Sequence, residues 1–159
     1  MNMRLAGRSM GEGTMSMELL VGLPAGMTTT GGAIAAEARR LGLELSFDED
    51  FSLDDVGGFQ PGRLAQMQAG IEIDVSDRAE LEDEVELFGS HADGIARVVA
   101  FYWGASFVEG AFAYAVAAAL VAACKGICFD PQEGELLSLD QAVRGAHALL
   151  SEARKQAAD

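Results

Sequence analysis

Ser106-Phe-Val-Glu-Gly-Ala-Phe-Ala-Tyr-Ala-Val-Ala-Ala-Ala-Leu-Val-Ala-Ala-Cys124 is the stretch that decides how this chain folds. Ser106 and Glu109 have the S-x-x-E spacing of a capping box, in which a hydroxyl and a carboxylate satisfy the first free N–H groups of a helix. The spacing predicts a helix over Phe107 to Cys124. Its residues are small or apolar on every side, which suits a helix covered around most of its circumference. A bilayer span needs roughly 20 apolar residues; the run Gly110 to Cys124 is shorter and dominated by Ala. It therefore reads as a core helix, and no membrane partner is expected.

Around this helix the chain carries the signals of a single α+β domain, with a mixed, mostly antiparallel sheet packed against about three helices. Met1 to Ser16 is rich in Gly and Met without a period and reads as a flexible leader ahead of a domain over 17–159. Glu18 to Leu23 reads as a first strand. Ile34, Ala35, Ala38 and Leu41 recur at helical spacing, with Gly42 placed to end that helix. Leu43 to Phe47 alternates like a strand. An acidic loop from Asp48 to Gly62 comes next, holding Asp48, Glu49, Asp50, Asp54 and Asp55. Arg63–Met67 and Ile71–Val75 are expected to pair through a turn at Gln68-Ala-Gly70, with Glu72 and Asp74 facing out. Ser76 and Asp77 begin a helix to about Phe88, with Leu81, Val85 and Phe88 on its apolar edge.

Ile95 to Trp103 is the longest run of strand formers and is expected to be central. Gly126 to Phe129 and Glu135 to Leu137 read as strands about the turn Asp130-Pro-Gln-Glu-Gly134. Ser138 and Gln141 then cap a last helix carrying Ala142, Val143, Ala146, Leu149, Leu150 and Ala153 on one face.

Charge narrows the function. Asp and Glu outnumber Lys and Arg by 25 to 11, for a net charge of -14. Such a surface repels nucleic acid and anionic membranes and steers basic partners toward it. Two cysteines, Cys124 and Cys128, do not make a disulfide framework, and this points to a reducing, cytoplasmic setting.

Catalytic and cofactor signals are weak. Thr28-Thr-Thr-Gly-Gly32 before a helix resembles a phosphate loop only partly, because the Lys of a Walker loop is missing. Cys124, Cys128, His91 and His147 do not have zinc-knuckle spacing, so no metal and no cofactor are expected. Glu72, Asp74 and Glu109 are the acids near core elements, and Glu109 is already used as a cap. Phe101, Tyr102, Trp103, Phe107, Phe112 and Tyr114 have the spacing of core residues.

What remains is a run of acid: Glu72, Asp74, Asp77, Glu80, Glu82, Asp83, Glu84 and Glu86, with Arg78 the sole base among them. Like charges at this density repel, and a basic protein docking on them would relieve the repulsion. These eight residues are the candidate partner-binding site, with the Asp48–Asp55 loop as a second patch.

Gly58-Phe-Gln-Pro61 leading to Ala69-Gly-Ile-Glu72, the stretch Val99-Ala-Phe-Tyr-Trp103 with Glu109, and Gly126-Ile-Cys-Phe-Asp-Pro-Gln-Glu-Gly134 followed by Leu139-Asp-Gln-Ala142 resemble small bacterial immunity proteins of polymorphic and type VI secretion toxin systems. Ile71-Glu-Ile73 stands where such proteins more often carry aromatics. The resemblance implies a non-enzymatic α+β protein that binds and neutralises a cognate toxin in the producing cell. The alternative expectation is a small enzyme or ligand-binding domain, with Glu72, Asp74 or Tyr114 in a cleft between the sheet and the core helix.

Overall fold

A computed structural model describes residues 16–158; the expected leader, apart from Ser16, lies outside them. Its elements are β1 (Met17–Leu23), α1 (Gly31–Arg40), β2 (Leu45–Phe47), β3 (Gly58–Leu64), β4 (Met67–Asp77), α2 (Glu82–Glu86), β5 (Arg97–Trp103), α3 (Phe107–Cys124), β6 (Ile127–Asp130), β7 (Glu135–Leu137) and α4 (Leu139–Ala158), with 3-10 turns at Arg78–Glu80 and Gly89–Gly94. The strands form one sheet in the order β2-β3-β4-β5-β1-β6-β7, and every pairing between named strands is antiparallel. The expected α+β architecture is the one found, with α1, α3 and α4 as the three long helices.

The sheet is apolar on both faces at its centre. Along β5, Val99, Phe101 and Trp103 join the main core, while Val98, Ala100 and Tyr102 join a smaller cluster on the opposite face. A strand needed by two cores occupies the middle of a sheet, and β5 is fourth of seven. The main core is closed by α3, whose residues from Gly110 to Leu120 are buried except for Tyr114. By length and apolarity alone α3 could also cross a membrane; in this fold its alanines let α4 and the sheet approach closely. Ser106 Oγ accepts the Glu109 N–H at 3.3 Å, so the hydroxyl half of the expected capping box is in place. At α4 both halves form: Gln141 N–H donates to Ser138 Oγ, and Ser138 N–H donates to Gln141 Oε1.

Two expectations are corrected. The turn between β3 and β4 falls at Ala65-Gln66, not at Gln68–Gly70, and both turn residues have positive φ, 50° and 70°. That is the backbone of a tight hairpin turn whose twist matches the strands, built here without the Asn-Gly pair that would have announced it. The acidic loop also ends earlier than expected, because Gly58–Pro61 belongs to β3. Pro61 is tolerated in the strand because it lies one residue beyond the β2–β3 register, which ends at Phe47 opposite Gly62; its carbonyl still accepts from Asp48 N–H, and the N–H it lacks falls outside the registered ladder.

Candidate functional site

The stretch Asp77 to Gly94 crosses the face of the sheet opposite the long helices. It is held there by apolar contact. Leu81, Val85 and Phe88 are buried against Leu20, Val98, Ala100, Tyr102 and Phe129, with the Phe88 and Phe129 rings 5.9 Å apart. The single helix expected here is instead a 3-10 turn followed by the five-residue α2. Asp77 N–H donates to Glu80 Oε1 at 3.1 Å, as the capping spacing required. Arg78, the one base in the run, is committed to structure: its guanidinium donates to the carbonyls of Ala92 and Ile95 and pairs with Glu82 at 3.6 Å.

The candidate carboxylates fall into four groups. Glu72 and Asp74 stand opposite Tyr102 and Ala100 in the β4–β5 register, which places them on the same face as the covering layer. Glu80, Glu82, Asp83 and Glu86 are exposed on that layer. Asp77 departs from the set, because it sits at the end of the sheet opposite Arg97. Glu84 departs further: it is 7 % exposed and does not present a carboxylate broadly to solvent.

Sequence reasoning missed the apolar members of this face. Phe59 is 57 % exposed and Leu87 41 %. Phe59 is paired with Glu72 across β3–β4, so it shares the acidic face, and Leu87 follows α2 directly. The ring of Phe59 lies on Gly70, where a Cβ would come within 2.5 Å of its Cζ. An aromatic ring held in place while exposed loses little entropy on contact with a partner. The Gly57-Gly-Phe-Gln-Pro stretch hinted at a constrained aromatic, but its face depends on the hairpin register.

The second acidic patch is partly consumed by the fold. Asp50 Oδ1 accepts the Gly32 N–H at 2.8 Å, Phe51 C=O accepts that of Gly31, and Thr30 Oγ1 accepts that of Ala33. The chain's own carboxylate thus stands where a phosphate would, which answers the phosphate-loop reading. Asp54 accepts from Arg97 at 2.8 Å and from the Thr28 hydroxyl at 3.0 Å, and these bonds hold its carboxyl below its ordinary pKa. Asp48, Glu49 and Asp55 remain exposed. Asp54, Asp77 and Arg97, with Pro24–Thr28, line a crevice of about 340 Å³.

The acids proposed for chemistry do not converge. Tyr114 lies on the helical side of the sheet, across from Glu72 and Asp74, and its hydroxyl donates to Asp130 at 3.4 Å. Burial raises the Tyr114 pKa, and the Asp130 charge adds to the rise. Glu109 is likewise raised by burial. Among the described residues no cluster of three or more His, Cys, Asp or Glu could hold a metal. Cys124 and Cys128 are free and buried, and burial pushes the Cys128 thiol up to about 12.

With the geometry in view, comparison adds no neighbour. The chain has no significant match to a protein-family model, a curated protein or a solved structure. What the acidic face can do is read from its own chemistry: it presents acceptors and negative potential around two apolar side chains.

Proposed function

We propose that this chain is a binding protein, without catalysis of its own, whose acidic face docks on a positively charged protein. Following the resemblance to immunity proteins, that partner is a cognate bacterial toxin in the cytoplasm of the producing cell, and the face covers its active site or substrate channel. One observation carries the reading: Glu72, Asp74, Glu80, Glu82, Asp83 and Glu86 lie on one side of the sheet, around the exposed Phe59 and Leu87. A surface charged only for solubility has no need to gather six acids on one side of the sheet or to set apolar anchors among them.

The two kinds of side chain divide the work. Carboxylates at the rim speed encounter with a basic surface and make it salt-dependent. Fixed apolar side chains slow dissociation once they are desolvated. A toxin that holds nucleic acid offers a groove of Lys and Arg, and carboxylates can stand in for the phosphates it normally binds.

The test is co-expression and stopped-flow association with the product of an adjacent gene that has a toxin-like C-terminal domain. Glu82→Lys, Asp83→Lys and Glu86→Lys together are expected to lower the association rate about tenfold or more at low salt and to flatten its salt dependence. Phe59→Ala is expected to act on dissociation. Unchanged kinetics in both variants removes this face from the account.

A further inference from the structure

On the helical side of the sheet, remote from the acidic face, a pocket of about 320 Å³ opens between β5, the start of α3 and α4. This is within the size range of small-molecule sites, roughly 300–1,000 Å³. Its walls are almost all apolar, yet polar hydrogens without acceptors gather beside it. Trp103 is only 8 % exposed, and its indole N–H has no hydrogen-bond partner among the described residues. The Nε1 edge lies over the first turn of α3, where a Cβ on Gly110 would come within 2.9 Å of it. In that turn Ser106 takes the N–H groups of Glu109 and Gly110. Those of Phe107 and Val108 have no acceptor among the described residues. A buried indole N–H without a partner is costly, and a ligand acceptor beside it would recover the lost bond.

We propose that this pocket, walled by Met17, Trp103, Ser106, Phe107, Tyr114 and Leu149, binds a small uncharged amphipathic molecule: an aliphatic or aromatic body carrying a carbonyl oxygen. The body fills the space between the Tyr114 ring, Met17 and Leu149. The carbonyl accepts from Trp103 Nε1–H or from the free N–H groups at the start of α3. Tyr114 contributes its ring alone, since its hydroxyl is turned to Asp130. The start of an 18-residue helix would by itself welcome an anion. Two observations select a neutral head instead: Glu109 sits in the same first turn, and the chain carries a net charge of -14, which repels carboxylates before they arrive.

The chain contains a single Trp, so its fluorescence reports on this pocket directly. The full chain is titrated with octanamide and, separately, with octanoate. Octanamide is expected to shift Trp103 emission along a saturable curve, and octanoate to bind at least ~10-fold more weakly. Ala105→Phe, placed at an exposed position on the pocket mouth, is expected to abolish the shift while leaving the circular dichroism unchanged. Trp103→Phe, followed by calorimetry, is expected to keep the apolar space but weaken octanamide by ~10-fold through loss of the donor. A linear, non-saturating response, binding that survives Ala105→Phe, or equal affinity for octanoate would overturn the assignment.

Discussion

Gln132→Ala should destabilise this protein more than any other substitution at an exposed loop position, because Gln132 extends the sheet with its side chain. The ladder between β1 and β6 is registered from Leu20 to Gly22. Beyond its end, Gln132 Oε1 accepts the Glu18 N–H at 2.8 Å and Nε2 donates to the Glu18 C=O at 2.9 Å, as a further strand residue would. The same Nε2 donates to Asp130 Oδ1 at 2.8 Å, and Asp130 is 5 % exposed. Neutral bonds contribute about 0.5–1.5 kcal/mol each and one to a charged group about 1.5–3. Water replaces part of this because Gln132 is itself exposed, leaving a cost of about 2–3 kcal/mol. For a chain of this size the melting temperature should fall by about 4–12 °C. Urea denaturation followed by circular dichroism gives the free energy, and hydrogen exchange should show the Glu18 amide losing protection while Leu20 keeps it. Gln132→Glu should cost more at neutral pH, since it removes both donated bonds and sets a carboxylate against Asp130. A Gln132→Ala variant within about 0.5 kcal/mol of the parent would refute the strand-extension account.

Gly62→Ala should be among the most damaging small changes, because its Cβ would lie 2.2 Å from the Ser46 carbonyl and 2.8 Å from Phe112 Cζ; a loss of about 3 kcal/mol in urea denaturation is expected. Asp54 has its pKa lowered by Arg97 and Thr28, so its contribution is present above the ordinary carboxylate pKa and is lost as pH falls through the depressed folded value. The stability gap between the parent and Asp54→Asn should therefore be full at neutral pH and narrow as pH falls through and below the ordinary carboxylate range, as measured by denaturation at each pH. Both thiols are raised by burial, so a disulfide reagent at about pH 8 should leave Cys124 and Cys128 unmodified in the folded chain and modify both in denaturant; rapid reaction of the native protein would contradict the burial.

The parts of this fold that were legible in the sequence are those specified by neighbours in the chain. The caps at Ser106 and Ser138, the apolar edge Leu81-Val85-Phe88 and the run of strand formers in β5 all rest on residues close together in the chain. What was not legible depends on partners far away. Asp130-Pro-Gln-Glu-Gly134 announced a turn, but the bond from Gln132 to Glu18 spans 114 positions. The face taken by Phe59 follows from a hairpin turn at Ala65-Gln66, whose residues carry no turn signature. Asp50 and Asp54 counted as free acid until the structure gave them Gly32 and Arg97. The burial of Glu84 and the end position of Asp77 were hidden because the run was read as one continuous helix, whereas β4 continues through Asp77 before the chain turns.

The position of the acid within the fold bears on why the sequence carries it. Like charges on neighbouring residues oppose folding wherever they are placed, but the opposition is local if the segment can open alone. Here the exposed carboxylates from Glu80 to Glu86 ride on a layer attached through the smaller cluster, whereas α1, α3, α4 and the buried strand faces beneath them belong to the larger one. Repulsion within the layer therefore acts first on contacts such as Phe88 against Phe129, and the main core keeps its stability. A basic partner that neutralised the layer would tighten those same contacts. Amide exchange across residues 81–88 should then be faster than across α3 in the isolated protein and should slow as salt is raised, because screening substitutes in part for the partner. Equal protection of the two segments at low salt would mean that the charges do not loosen the layer, and would remove the reason for a partner to relieve them.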